Sequence, residues 1–337
     1  MSFRPWGVIL AGGDGTRLKA VSRLISGDNR PKQFCSLFGS RSLLARTRGR
    51  LAPAISPDRM IFAVVSNHER FYQPELADVD ESRIVVQPAN RGTTAAIIYS
   101  LLRLTRLEKD PVVAFFPADH HFADETAFAQ AVDGAFEVVH KRPELLVLLG
   151  AKAEKAEVEY GWIEPGLPMD DDRGRSPSVF YVNRFWEKPT AATAHALMSS
   201  GCLWNTFVIA GRAQTFLEII ESTTPLALQS FKPVADSRLR DEETERAAAL
   251  YEALPTGDFS REVLTGRPER LAVLRMDGAG WGDLGTPEGV LAAIQRTDPV
   301  PHPPSNAFNS WLATYRHRLE EVCHQANEEP VSAERHH

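Results

Sequence analysis

Short apolar runs separated by polar stretches of helical length fill the first half of the chain. Residues 8–11, Val-Ile-Leu-Ala, stop at two glycines, which reads as a buried strand entering a tight loop. Apolar runs at 60–65, 83–87, 112–116 and 145–150 have the length of further buried strands. Between them, 43–51, 71–76, 93–107 and 125–140 read as helices. In 93–107 the apolar Ala96, Ile97, Leu101, Leu104 and Leu107 recur close to helical spacing. This alternation predicts an α/β fold on a Rossmann-like, open, mostly parallel sheet with helices on both faces. Ligands of such sheets bind beyond the carboxyl ends of the strands. The loop after residue 11, Gln87-Pro88 and Pro117-Ala-Asp119 all fall at strand ends, so one crevice can collect them.

The second half changes character. Residues 165–177 are polar and contain Asp170-Asp-Asp172, which reads as a solvated surface loop. Strands are expected at 179–185, 203–210 and 271–276, and helices at 191–200, 215–221 and 243–254. Thr286 and Pro287 open a helix over 286–294 as N-cap and first helical residue. A proline-rich linker at 298–306 separates this body, residues 1–297, from a C-terminal helix and tail at 307–337. Phe308, Trp311, Leu312, Tyr315, Leu319 and Val322 place an apolar stripe along that helix. Two coverings remain open for the stripe: the chain's own body, or a second subunit in a homo-oligomer. No internal repeat is present.

Composition narrows the functional classes. A chain of 337 residues allows one large α/β domain with an annex, or two small domains at roughly 150 residues each. Hydrophobic residues make up 43%, enough for a sizeable core, and the net charge of −6 gives no reason to expect nucleic acid or an acidic membrane surface. No apolar run approaches the ~20 residues of a membrane span. The chain enters its first strand without a signal-peptide pattern. Only Cys35, Cys202 and Cys323 are present, without C-x-x-C spacing, which argues against a disulfide framework and for a cytoplasmic location.

The loop after the first strand holds candidate chemistry. Gly12, Gly13 and Gly15 let backbone N–H groups face an anion, and Arg17 adds a forked cation suited to phosphate. Lys32 follows as a point charge after Pro31. Leu18 stands where the dinucleotide fingerprint needs its third glycine, which argues against a nicotinamide dehydrogenase. No lysine–hydroxyl pair completes a Walker loop after Gly12. His120 and His121 lack a nearby third His or Cys, so zinc is not expected.

Leu10-Ala-Gly-Gly-Asp-Gly-Thr-Arg-Leu18, Ser22-Arg23 and Pro31-Lys-Gln-Phe34 resemble the opening signature of sugar-1-phosphate nucleotidyltransferases. The Pro-Lys-Gln-Phe ending is most similar to the mannose-1-phosphate guanylyltransferase branch. Further matches follow in the family's order at Arg91-Gly-Thr-Thr-Ala-Ala-Ile97, Pro117-Ala-Asp-His120, Tyr160-Gly-Trp162, Phe185-Trp-Glu-Lys-Pro189, Trp204-Asn205 and Gly280-Trp-Gly-Asp-Leu-Gly285.

The resemblance implies a reaction of an NTP, GTP by preference, with a sugar 1-phosphate, mannose 1-phosphate by preference, giving a nucleotide sugar and pyrophosphate. It implies Arg17 and Lys32 as catalytic cations, and Asp119 and Asp283 as ligands of Mg²⁺. Leu10, Gly12, Gly13, Gly15, Thr16, Gln87, Arg91 and Thr93 would bind the nucleotide. Gly161, Glu187, Lys188 and Asn205 would bind the sugar phosphate in a smaller annex. As a bare residue, Thr93 also suits a helix N-cap. The chain departs from the family at Lys19-Ala20, in a longer connection over 24–30, and at Thr206-Phe207, where Ser-Gly is common. Base and sugar identity therefore stay open, as does a non-catalytic relative that binds a nucleotide sugar and regulates a partner.

Overall fold

The computed structural model describes residues 4–169, 178–237 and 239–296. The linker at 298–306, the C-terminal helix at 307–337 and the triplet Asp170–172 lie outside them. Eleven strands are formed among the described residues: β1 (Trp6–Leu10), β2 (Met60–Val65), β3 (Ile84–Gln87), β4 (Val112–Pro117), β5 (His121–Phe122), β6 (Leu146–Lys152), β7 (Gly161–Pro168), β8 (Val179–Glu187), β9 (Leu203–Arg212), β10 (Leu271–Met276) and β11 (Trp281–Gly282). The first helices are α1 (Lys19–Ser26), α2 (Leu43–Leu51), α3 (Glu69–Glu75), α4 (Gly92–Leu107), α5 (Glu125–Lys141) and α6 (Ala191–Ser199). Then come α7 (Ala213–Thr223), α8 (Pro225–Ser230), α9 (Lys232–Ala235), α10 (Arg240–Ala253) and α11 (Pro287–Arg296).

Nine strands form one sheet in the order β3-β2-β1-β4-β9-β6-β10-β8-β7. Where strand and helix alternate strictly, in β3-β2-β1-β4, the strands are parallel as expected, and β6 is parallel to β10. β9 runs antiparallel between β4 and β6, and β8 and β7 complete an antiparallel edge. Consecutive residues of β1 face opposite layers. Val8 packs with α4, α7 and α10 on one side, and Ile9 with α2, α3, α5 and α6 on the other. A third, smaller core joins α1 to α11 through Val21, Cys35, Leu284 and Val290. No helix of the described residues is long and apolar enough to cross a membrane.

The structure corrects several local expectations. Residues 161–168 form β7, so 165–168, expected as the start of a loop, are strand. Pro165 and Pro168 fall at register shifts of an edge strand, where a missing N–H is tolerated. Helix α1 was not anticipated, because two turns are too few to display a period. Thr93 is not an N-cap: α4 begins at Gly92, and the Thr93 hydroxyl accepts instead from the Phe259 N–H at 2.9 Å. Thr286 does cap α11, its hydroxyl accepting from the Gly289 N–H at 3.1 Å.

Candidate active site

The glycine loop leaving β1 is fixed from behind. Gln33 donates through Nε2 to the carbonyls of Ala11 (2.9 Å) and Gly13 (2.8 Å), and Gln33 is itself buried. Gly15 has φ of 60°, and a Cβ there would lie 3.1 Å from the Lys32 backbone nitrogen. The loop therefore passes directly over the Pro31–Lys32 segment, and glycine permits both the left-handed turn and the close pass.

Lys32 gathers oxygens from two distant parts of the chain. Its Nζ lies 3.1 Å from Asp119 Oδ2 and donates to the carbonyls of Asp283 (2.9 Å) and Leu284 (3.2 Å). Asp119 follows β4 and Asp283 follows β11. These segments are clasped by the two-stranded β5·β11 sheet, with His121 opposite Gly282 and Phe122 opposite Trp281. From α2, Arg50 donates to the His120 carbonyl at 3.1 Å, and its guanidinium lies 5.0 Å from the centre of the Phe122 ring. Burial of that cation pulls its pKa down to about 10.

Trp281 donates through Nε1 to His120 Nδ1 at 3.2 Å. A neutral His120 then holds its proton on Nε2, the nitrogen 4.0 Å from Asp119 Oδ1. Burial also holds the imidazole below its ordinary pKa. Burial alone would push the Asp119 carboxyl up, but Lys32 and His120 together outweigh it and hold Asp119 below the usual carboxylate value.

A cavity of about 390 Å³ opens above these groups. Its lining includes Leu10, Gly12, Gly13 and Thr93, the two aspartates Asp119 and Asp283, and Gly161, Glu187 and Asn205. Burial, with Asp258 nearby, raises the Glu187 carboxyl to about 7. Tyr160, Trp204 and Trp281 form an aromatic cluster beside it, with ring centroids 5.2–6.1 Å apart.

Other expected residues sit around the cavity rather than in its lining. Arg17 is exposed in the loop, 3.7 Å from Glu159, which does line the cavity. Thr16 is exposed beside it. Gln87 is buried under the glycine loop and accepts from the Tyr251 hydroxyl at 3.2 Å. Arg91 donates to the Tyr251 carbonyl at 2.8 Å. Lys188 is exposed, and its backbone N–H donates to the Tyr160 carbonyl at 3.3 Å.

The cavity also takes in Asn90, His120, Tyr160, Phe207, Ser260 and Trp281. Of these, His120, Tyr160 and Trp281 fall inside motifs visible in the sequence, and Phe207 directly follows one at a departure from the family pattern, whereas Asn90 carries no such mark. A second hollow of about 380 Å³ lies between α4, α8 and α10, but its walls are almost wholly apolar and it lacks a comparable set of charged groups.

Residues 6–298 match the family described as Nucleotidyl transferase. The chain is 31% identical over 84% of its length to "Xanthan biosynthesis protein XanB" of Xanthomonas campestris pv. campestris, of which it covers 58%. It is 30% identical over 98% of its length to "Mannose-1-phosphate guanylyltransferase ManC" of Salmonella typhimurium, covering 70% of that protein. Among solved structures it is similar to one described as a mannose-1-phosphate geranyltransferase from Thermus thermophilus, with a TM-score of 0.74 and 25% identity over 89% of this chain and 81% of the other. The chain thus spans little more than half the length of the first of these relatives.

Proposed function

Because the chain belongs to the nucleotidyl transferase family, we propose that its cavity joins an NTP to a sugar 1-phosphate, with GTP and mannose 1-phosphate the leading pair. The observation that carries this reading is the convergence at Lys32: one ammonium group holds Asp119 and the backbone of Asp283 together beneath a glycine loop. The names of the Salmonella typhimurium and Thermus thermophilus relatives support mannose 1-phosphate as the acceptor.

An oxygen of the sugar phosphate attacks the α-phosphorus of the NTP. The new O–P bond forms as the bond to the α,β-bridging oxygen breaks, and pyrophosphate leaves with that electron pair. The glycine-loop N–H groups and Arg17 bind the phosphate chain. Lys32 offsets the charge growing on the bridging oxygen. Glu187 accepts from sugar hydroxyls, and Lys188 meets the sugar phosphate from the rim.

The donor set suits Mg²⁺. Oxygens of the Asp119 and Asp283 segments already converge on a positive charge, and two carboxylates are what a hard ion needs when phosphates supply its other ligands. Bound there by Asp119 and Asp283, Mg²⁺ would supply Lewis-acid neutralisation of the phosphates. Pyrophosphate release measured across a matrix of NTPs and sugar 1-phosphates tests the reading. Release with GTP and mannose 1-phosphate above all other pairs is expected, and no release with any pair overturns it.

A further inference from the structure

Strand β9 does not cross the site as a regular strand. Its pairing with β6 runs through Val147↔Ala210 and Leu148↔Ile209, then resumes at Gly150↔Asn205. Thr206, Phe207 and Val208 therefore oppose Leu149 alone. A bulge of this kind kinks a strand and re-aims its side chains, and bulges gather beside active sites. It is secured from within: the Thr206 hydroxyl donates to the Leu149 carbonyl at 2.7 Å and accepts from the Val208 N–H at 3.3 Å.

At the middle of the bulge Phe207 has φ of 57°, a region that bulky side chains rarely enter. Asn205 clamps it there. Its Oδ1 accepts from the Phe207 N–H at 3.0 Å, while its Nδ2 lies 3.5 Å from Ser260 Oγ. Its ring stands edge-on to Phe259 at 6.5 Å, and the residue, half-buried, lines the cavity together with Gly161 and Glu187. Lys188 (φ 48°) and Leu284 (φ 52°) are strained in the same way next to Glu187 and Asp283. Of the four such non-glycine residues described, only Asp110 lies at the other end of β4. Strain persists where its surroundings over-determine it, and it clusters at ligand clamps.

We propose that Phe207 is a sugar-contacting residue that sets acceptor affinity, its ring covering the carbon-bearing face of a hexopyranosyl 1-phosphate. A pyranose presents C–H groups on its face and hydroxyls at its edge. An aromatic ring suits the first, and the neighbouring Glu187 suits the second. On this view Asn205 acts mainly as the positioning residue that holds Phe207. The inference rests on the sugar-phosphate half of the proposed reaction.

Steady-state kinetics and thermal melting of F207A, F207G and F207W test it. F207A should raise the KM for mannose 1-phosphate about tenfold, the size of one aromatic contact, and leave the KM for GTP within about twofold. F207W should restore most of the loss. F207G also lacks the ring but tolerates the left-handed backbone, so it should share the kinetic defect of F207A while melting at a higher temperature. An unchanged KM in F207A, an equal rise in both KM values, or F207G melting below F207A would each overturn the inference. Should the wild type release no pyrophosphate with any pair, the proposed reaction falls, and calorimetric binding of mannose 1-phosphate to wild type and F207A decides Phe207 separately. An about tenfold weaker affinity in F207A supports its role; equal affinity, or no binding to the wild type, overturns it.

Discussion

Replacing Lys32 with Met removes one charge from beneath the cavity while keeping most of the apolar stem. The ammonium nitrogen stands 3.1 Å from Asp119 Oδ2. At an effective dielectric of about 20, two unit charges at that separation attract by about 5 kcal/mol. Dehydration of both groups offsets much of this, and water screens the rest, since the two side chains are 13% and 25% exposed. A net destabilisation of about 2 kcal/mol remains, and melting should fall by only a few degrees. The sign of its pH dependence follows from Asp119. A carboxyl held below its unfolded value contributes stability above that value and loses it as pH falls through the folded value. The deficit of Lys32→Met is therefore full at neutral pH and shrinks in acid. The chemical loss should be larger, with kcat down about 10²–10³-fold, as when a donor to developing charge is removed. Pyrophosphate release at saturating GTP and mannose 1-phosphate measures kcat, and a GTP titration gives its KM. A folded Lys32→Met with wild-type kcat and a raised KM would mean uniform ground-state binding, and would refute the catalytic assignment.

Asp119→Asn and Asp283→Asn should each lower turnover by orders of magnitude and abolish any rise in melting temperature on adding Mg²⁺; a variant keeping both would take its aspartate out of the metal site. Gly92→Ala should destabilise the fold by about 2 kcal/mol or more, read from urea unfolding, because Gly92 has φ of 79° and a Cβ there would stand 2.1 Å from the Gly257 carbonyl oxygen. The raised pKa of Glu187, about 7, favours its protonated form in the folded chain, so its stabilisation is present below 4.5 and lost as pH rises through 7. Melting of Glu187→Gln against pH should lack that decline, and an unchanged slope would show that the carboxyl does not titrate there.

The half of the sheet in which each strand is followed by its own helix was legible, because buried parallel strands leave unbroken apolar runs such as 60–65 and 112–116. The glycine loop, Gln87-Pro88 and Pro117-Ala-Asp119 were expected around one crevice for the same reason; Gly12, Gly13, Pro117 and Asp119 do line it, whereas Gln87 is buried beneath the loop. The antiparallel insertion of β9 was not, since an apolar run states neither direction nor neighbour. Gln87 and Arg91 illustrate a second limit. The resemblance implies that both bind the nucleotide, but it does not show that Tyr251, far along the chain, bonds Gln87 Oε1 through its hydroxyl and Arg91 Nε through its carbonyl. The left-handed backbone of Phe207 follows from the mismatch between β9 and β6, a tertiary property with no local signature.

The small β5·β11 clasp has a consequence for how the candidate site is assembled. It joins segments far apart in sequence; the Trp281–His120 hydrogen bond inside it spans 161 residues. A growing chain thus exposes the Asp119 segment long before its counterpart is synthesised, and the loop between them must be closed by packing of the intervening core. The candidate site is in this sense completed late in folding. A chain cut short before residue 281 lacks both β11 and Asp283, so the Asp119 segment has neither its partner strand nor its partner carboxylate.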